Sequence, residues 1–361
     1  MAATQNPSRP ISRPGGLVRP GLTSAQLPRV EIDSRTAYDF LTSACNDCGE
    51  LDDLLPGDRR WLEESRANTA AEVGSDVFVQ TCSGFVAELG RMLVGRPGIR
   101  TARDVVDAID LMTNDELLEQ MAGELLEDPE LAATARLAVD GDPAAYTELQ
   151  SKLESFKGSP VLTRPMADLG PMARRVVHSW LPRYETIEAR VGRMLDRDVA
   201  AHPLEDAARD PIGFVERATN GIRLVPEPKI RRIVLAPSYF GRPYNSLTKV
   251  GDVQLICYPI ADGSLGAADH VTPPAATVRL YRALGDASRL RILRLLAEKD
   301  HYLTEIANEL DLSKPTIKHH LAQLRAAGLI TLTEQGNLTY YTLRRDRAEE
   351  AGVELRSYLA H

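Results

Sequence analysis

A chain of 361 residues with 43% apolar and 26% charged side chains has the composition of an ordinary soluble protein and is long enough for more than one hydrophobic core. Its formal net charge of -8 argues against indiscriminate binding to nucleic acid over the whole surface, and no apolar run approaches the length of a membrane span. With 4 cysteines and no signal peptide in view, the expected setting is a reducing cytoplasm rather than a disulfide-forming compartment.

Residues 1–28 contain Arg, Ser and Pro but no acidic residue, and nothing there can bury a core, so they read as a disordered arm. Arg9, Arg13 and Arg19 within it can brush a DNA backbone, or the arm is inert. From Arg29 to Leu204 the signals are helical. Thr101 caps ARDVVDAIDLM, Asn114-Asp115 leads ELLEQMAGELL, and two amphipathic patterns, PMARRVVHSW and ETIEARVGRMLDRDVA, flank Pro182. Pro211 starts a short helix. The character then changes to the β-rich runs GIRLV, KIRRIVLAP and VGDVQLICYPI, separated by prolines, which predict a small antiparallel sheet. Residues 29–265 thus read as a helical regulatory domain ending in a β cluster, with a Gly, Ala and Pro-rich linker over Ala261 to Pro274.

Beyond the linker, LTEIANELDLSKPTIKHHLAQLRAAGLI, Leu303 to Ile330, contains two short helical patterns joined by a tight polar turn. Leu303, Ile306, Ala307 and Leu310 line one face of the first. Asp311-Leu312 breaks the pattern, Ser313 offers a capping hydroxyl, and Pro315 suits the first turn of a new helix. Ile317, Leu321 and Leu324 form the buried stripe of that second helix, and Ala327-Gly328 ends it. At about 100° per residue, His319 and Gln323 point away from the stripe, with Thr316 on one flank and Lys318 and Arg325 on the other. ITLT and LTYYTL follow, separated by Glu334-Gln335-Gly336-Asn337, which predicts a β-hairpin over 330–343 with Gln335 and Asn337 at its tip. The outline is a winged helix-turn-helix. A helix at 313–327 with a short polar, partly cationic face suits the donors and acceptors of a DNA major groove. Residues 274–345 hold 11 Lys and Arg against 7 Asp and Glu, a basic module on an acidic body.

At this point the chain resembles a family. LYRALGDASRLRILRLLAEK, the helix-turn-helix and the YYTL strand are similar to the winged-helix domain of ArsR/SmtB-type bacterial transcriptional regulators, with Leu284, Asp286, Arg289, Ile292, Leu293, Leu296, Ala307, Leu310, Ser313, Thr316, His320, Leu321, Leu324, Ala327, Gly328 and Leu329 in register. Lys318 departs from the pattern, which has Ser there. The resemblance covers about a fifth of the chain, and the long N-terminal region resembles that of one subgroup. It implies a sequence-specific homodimeric regulator, a repressor that releases double-stranded DNA on sensing a signal. The apolar positions Ala348, Ala351, Leu355, Tyr358 and Leu359 of the final segment, 346–361, would then face a second copy or their own domain. Two metal sites known in the family lack their ligands here: the helix LTEIANEL has no Cys-x-Cys, and the last helix offers only Asp346 and His361.

The expectation is therefore a mainly α protein: a helical N-terminal domain with a small antiparallel sheet, then a C-terminal winged helix-turn-helix. Its DNA-binding residues are Ser313, Lys314, Thr316, Lys318, His319, Gln323, Gln335 and Asn337. It has no catalytic residues, no cofactor and no membrane association, and its N-terminal domain is a candidate to take a small-molecule effector. Cys45-x-x-Cys48 is a candidate for a soft metal or a redox pair, against the plain reading of buried packing. Two other functions stay open: a winged helix used as a protein-interaction module, or an N-terminal enzyme gated by the C-terminal domain.

Overall fold

The computed structural model describes residues 27–45, 49–82, 88–128, 130–153, 168–266, 273–335 and 338–360. Strand β1 (Arg29–Ile32) leads into helices α1 (Thr36–Ser43), α2 (Pro56–Val73) and α3 (Ala102–Asp110) and, after further short helices, the long α4 (Leu169–Ala200). Helix α5 (Pro211–Ala218) precedes β2 (Ile222–Leu224), β3 (Arg232–Ser238), β4 (Ser246–Val250) and β5 (Val253–Pro259). The C-terminal part comprises α6 (Ala275–Leu284), α7 (Ala287–Glu298), β6 (His301–Tyr302), α8 (Leu303–Leu310), α9 (Lys314–Ala326), β7 (Ile330–Gln335), β8 (Leu338–Leu343) and α10 (Arg345–Leu359). The fold is mainly α with a C-terminal winged helix-turn-helix, as the sequence predicts.

Local chemistry sets several helix starts. Thr101 and Asp104 form a capping box at the head of α3, satisfying two amides that the helix leaves unpaired. The helix Asn114–Met121 is capped by Thr113 rather than by the Asn-Asp pair, because Glu116 lies three residues on and closes a second capping box. The two patterns around Pro182 are one continuous helix, α4. A proline removes a single ladder bond, and here the buried stripe of Val177, Trp180, Leu181, Tyr184 and Ile187 runs unbroken across it. Arg183 bonds the Ser179 carbonyl beside the proline.

The N-terminal sheet corrects the antiparallel expectation. Its order is β1-β3-β5-β4, and only β4 and β5 run antiparallel, since β1 pairs β3 and β3 pairs β5 in parallel. Central parallel strands are covered on both faces and read as continuous apolar runs. Val234 and Ala236 join the large helical core on one face, while Ile233 and Leu235 meet Phe214 and Val215 of α5 on the other.

The predicted β cluster is also split. Strand β2 leaves it and joins the wing, where the order is β2-β7-β8-β6. Ile222, Arg223 and Leu224 run parallel to Leu332, Thr333 and Glu334. The N-terminal body thus contributes an edge strand to the C-terminal sheet, and Ile222 and Leu332 share one core with α5. Sequence spacing could not show this, because β2 and β7 are more than 100 residues apart.

Buried carboxylates fix the loops between these parts. Asp39 on α1, fully buried, accepts bonds from Ser238 Oγ at 2.6 Å, Tyr239 N at 2.7 Å, Phe240 N at 3.1 Å and Tyr184 Oη at 3.2 Å. That pins the chain leaving β3. Asp198 on α4 accepts from Tyr258 Oη, Ala261 N and Ser264 Oγ, pinning the exit from β5. The winged helix is docked by a third group: Arg242, 1% exposed, pairs with Asp262, whose other oxygen accepts from Ala276 N at the head of α6. Arg279 and Arg282 of α6 then pair with Asp53 and Asp52 of the body.

Candidate nucleic-acid interface

Helix α8 buries Ile306, Ala307 and Leu310 and ends at Asp311, a left-handed residue with φ 53°. Asp tolerates that conformation better than most L-residues, and it reverses the chain in one step. Ser313 then caps α9, its Oγ accepting from Thr316 N at 3.3 Å and lying 2.7 Å from Thr316 Oγ1. Pro315 sits in the first turn, where its missing amide costs nothing. Ile317, Leu321 and Leu324 are fully buried in the winged-helix core beside Leu280, Ile292 and Leu296. Gly328, at φ 71°, closes the helix. A Cβ there would also come within 2.8 Å of the Asn220 side chain, so glycine serves both the backbone and the contact with the body.

The outward face carries the residues assigned to it. Ser313, Lys314, Thr316, Lys318 and His319 are exposed, and Gln323 is half-buried one turn further on. Ser313 and Thr316 are partly spent on the cap. Gln323 is engaged on both sides: Arg289 of α7 donates to its Oε1, and its Nε2 lies 3.0 Å from His319 Nε2. His320 points inward with 13% of its side chain exposed, its Nδ1 4.0 Å from Asp286. Burial pushes its pKa below the usual value, the Arg289 and His319 charges act the same way, and Asp286 opposes them.

The wing pairs from Ile330↔Leu343 to Gln335↔Leu338, so Gln335 stands at the end of the ladder, as expected of a tip residue. Asn337 and Cys48 lie outside the described residues. Cys45, at the end of α1, is buried and disulfide-bonded. On α10 the apolar side divides. Ala351 is buried, with Tyr281 Oη donating to its carbonyl at 2.9 Å, whereas Leu355 and Leu359 are exposed.

Three groups escaped sequence reasoning as functional parts: Arg289, the α6 arginines, and Asn220, which pairs with Arg344. Arg289 had a signal, its place three residues after the Asp286 cap, but nothing in the pattern names Gln323 as its partner.

A capped helix with a buried apolar stripe and an open polar face, followed by a paired β-hairpin, defines a winged helix-turn-helix module. The model for the arsR family of bacterial regulatory proteins matches residues 286–331. An uncharacterized HTH-type transcriptional regulator of Methanocaldococcus jannaschii is 39% identical over 72 residues, 20% of this chain and 81% of that protein. The arsenic resistance transcriptional regulator ArsR1 of Pseudomonas putida is 38% identical over 74 residues, 20% of this chain and 55% of its own. The transcriptional repressor SdpR of Bacillus subtilis is 38% identical over 64 residues, 18% of this chain and 71% of its own. The chain belongs to the ArsR family of DNA-binding transcriptional regulators and carries a long N-terminal region that these matches do not cover. Among the described residues no helix is long and apolar enough to cross a membrane.

Proposed function

We propose that this regulator acts as a homodimeric cytoplasmic repressor. In this reading Ser313, Lys314, Thr316, Lys318, His319 and Gln323 enter the major groove of a specific duplex, Gln335 and Asn337 of the wing assist, and the body senses a small-molecule effector. The observation that carries it is the division of α9. Its apolar stripe is wholly buried, while Lys314, Thr316, Lys318 and His319 are exposed and clear of the acidic body. A helix so divided has the shape and donor set for base edges, and its two lysines suit phosphates. The exposed Leu355 and Leu359 of α10 supply a surface for a second copy, matching a two-fold symmetric site. The name of SdpR describes that relative as a repressor, which favours repression here.

The test is selection of bound duplexes from a random pool at low salt, with and without small molecules extracted from cells. A two-fold symmetric preferred site, released by an extract fraction, and repression of a reporter carrying that site are expected. Binding without sequence preference would contradict the reading.

A further inference from the structure

The Arg289–Gln323–His319 chain determines more than the rotamer of one amide. A guanidinium has donors and no acceptor, so the atom of Gln323 that meets Arg289 is its oxygen, Oε1. The amide nitrogen therefore faces His319 Nε2, at 3.0 Å. An amide NH2 only donates, so Nε2 has to accept. A neutral imidazole that accepts at Nε2 carries its proton on Nδ1. Arg289 cannot follow a wandering partner, because its other donors are fixed: Nε to the Ala283 carbonyl at 2.9 Å and Nη2 to the Arg282 carbonyl at 2.7 Å, with its side chain 12% exposed.

We propose that Arg289, which lies behind the recognition helix, is a positioning residue for base reading: through Gln323 it holds His319 in the tautomer that offers the groove an Nδ1–H donor. The base edge that suits this donor carries acceptors, above all N7 and O6 of guanine. The inference rests on α9 reading DNA, and its test separates the two claims.

The first measurement needs no DNA. In the full chain labelled with 15N-histidine, with His319→Ala used for assignment, the free protein should show His319 protonated at Nδ1 and bare at Nε2. In Gln323→Glu the carboxylate keeps its partner Arg289 but can only accept, so His319 must carry a proton on Nε2. At a pH high enough to keep the ring neutral, where both measurements are made, it should switch to the Nε2–H form and turn a bare Nδ1 outward. An unchanged tautomer in Gln323→Glu, or an Nε2–H form in the wild type, overturns the proposal.

The second measurement is duplex selection by the same variants. At the base pair whose preference His319→Ala abolishes, the wild type should favour guanine. Gln323→Glu should shift the preference to a donor edge, adenine N6 or cytosine N4. Arg289→Met should flatten it by about tenfold while leaving the other positions of the site intact, and Arg289→Lys, which still donates to Oε1, should restore part of it. Retention of the wild-type base by both Gln323→Glu and Arg289→Met overturns the proposal while leaving DNA reading in place. Failure of the wild type to select any sequence overturns both.

Discussion

Arg344, at the end of the wing, donates from Nη1 to Asn220 Oδ1 of the body at 2.9 Å. Asn220, at φ 54°, is part of the turn that leads into β2, and beside it Gly328 closes α9 against the same side chain. Body, wing and α9 therefore meet at one point, and a shift of α5 or β2 has a short mechanical route to the face of α9 proposed to read DNA. The two parts of the chain are one folded unit at this seam, in spite of the linker between them.

Ile222, fully buried between α5 and β7, tests that unity. Ile222→Ala should lower the unfolding free energy by roughly 2 to 4 kcal/mol, the cost of removing a buried aliphatic side chain from a packed site. Because the core is shared, protection of the Ile330 to Leu332 amides against hydrogen exchange and the fluorescence of Trp61 and Trp180 in the body should be lost together. Loss of wing protection with an unchanged body signal would mean that the seam carries little energy.

Asp262 joins the buried Arg242 to the first turn of α6. Asp262→Ala leaves a guanidinium without its charge partner inside the protein, a change that typically costs about 3 to 5 kcal/mol. Asp262→Asn, which keeps an acceptor for Ala276 N, should cost less. Chemical denaturation of the two variants, compared at the same pH, gives the ordering.

The sign of a pH effect follows from His320, whose pKa burial lowers from its ordinary 6.5. As pH falls below about 6.5, the unfolded chain takes up a proton that the folded protein resists. Stability should therefore decline as pH falls through the histidine range and be fully present above it. In His320→Gln the difference in stability between pH 7.5 and pH 5.5 should shrink. An equal pH dependence in wild type and variant would assign the titration to other groups.

The exposed end of α10 predicts the assembly state. Leu355 and Leu359 follow Ala351 at four and eight residues on the same face of α10, beyond the stretch that the domain covers, and Leu359 is 71% exposed. Leu355→Glu combined with Leu359→Glu should leave the melting profile of the monomer nearly unchanged while weakening self-association. Sedimentation equilibrium reads this directly, and an unaltered dimer would place the interface elsewhere.

Much of the C-terminal module was legible because its determinants are local. The Ser313 cap, Pro315, the Ile317, Leu321 and Leu324 stripe and the Gly328 stop all lie within 16 residues and each acts through near neighbours. In the N-terminal sheet β3 and β5 were legible as β-rich runs, but β1, at the head of the stretch read as helical, and β4 were not, and neither was the topology. The run IVLA states that β3 is buried on both faces, yet the direction of its neighbours is settled by where the helical body returns the chain. Asn220, Ile222 and Arg344 show the same limit more sharply, since nothing near them in sequence reveals their partners. For the candidate interface, the periodicity of α9 gave which side chains point outward. That Gln323 is held by Arg289 depends on how α7 crosses α9, a tertiary fact.

The most direct test of the central claim is a binding titration of the selected duplex and a scrambled one across a salt series, with wild type, Lys318→Ala and His319→Ala. Lys318→Ala should weaken binding to both duplexes alike and reduce the slope of log affinity against log salt by about one. His319→Ala should keep the slope and lose about 1 to 3 kcal/mol of discrimination between the duplexes. If all three proteins bind both duplexes equally at every salt concentration, α9 does not read DNA.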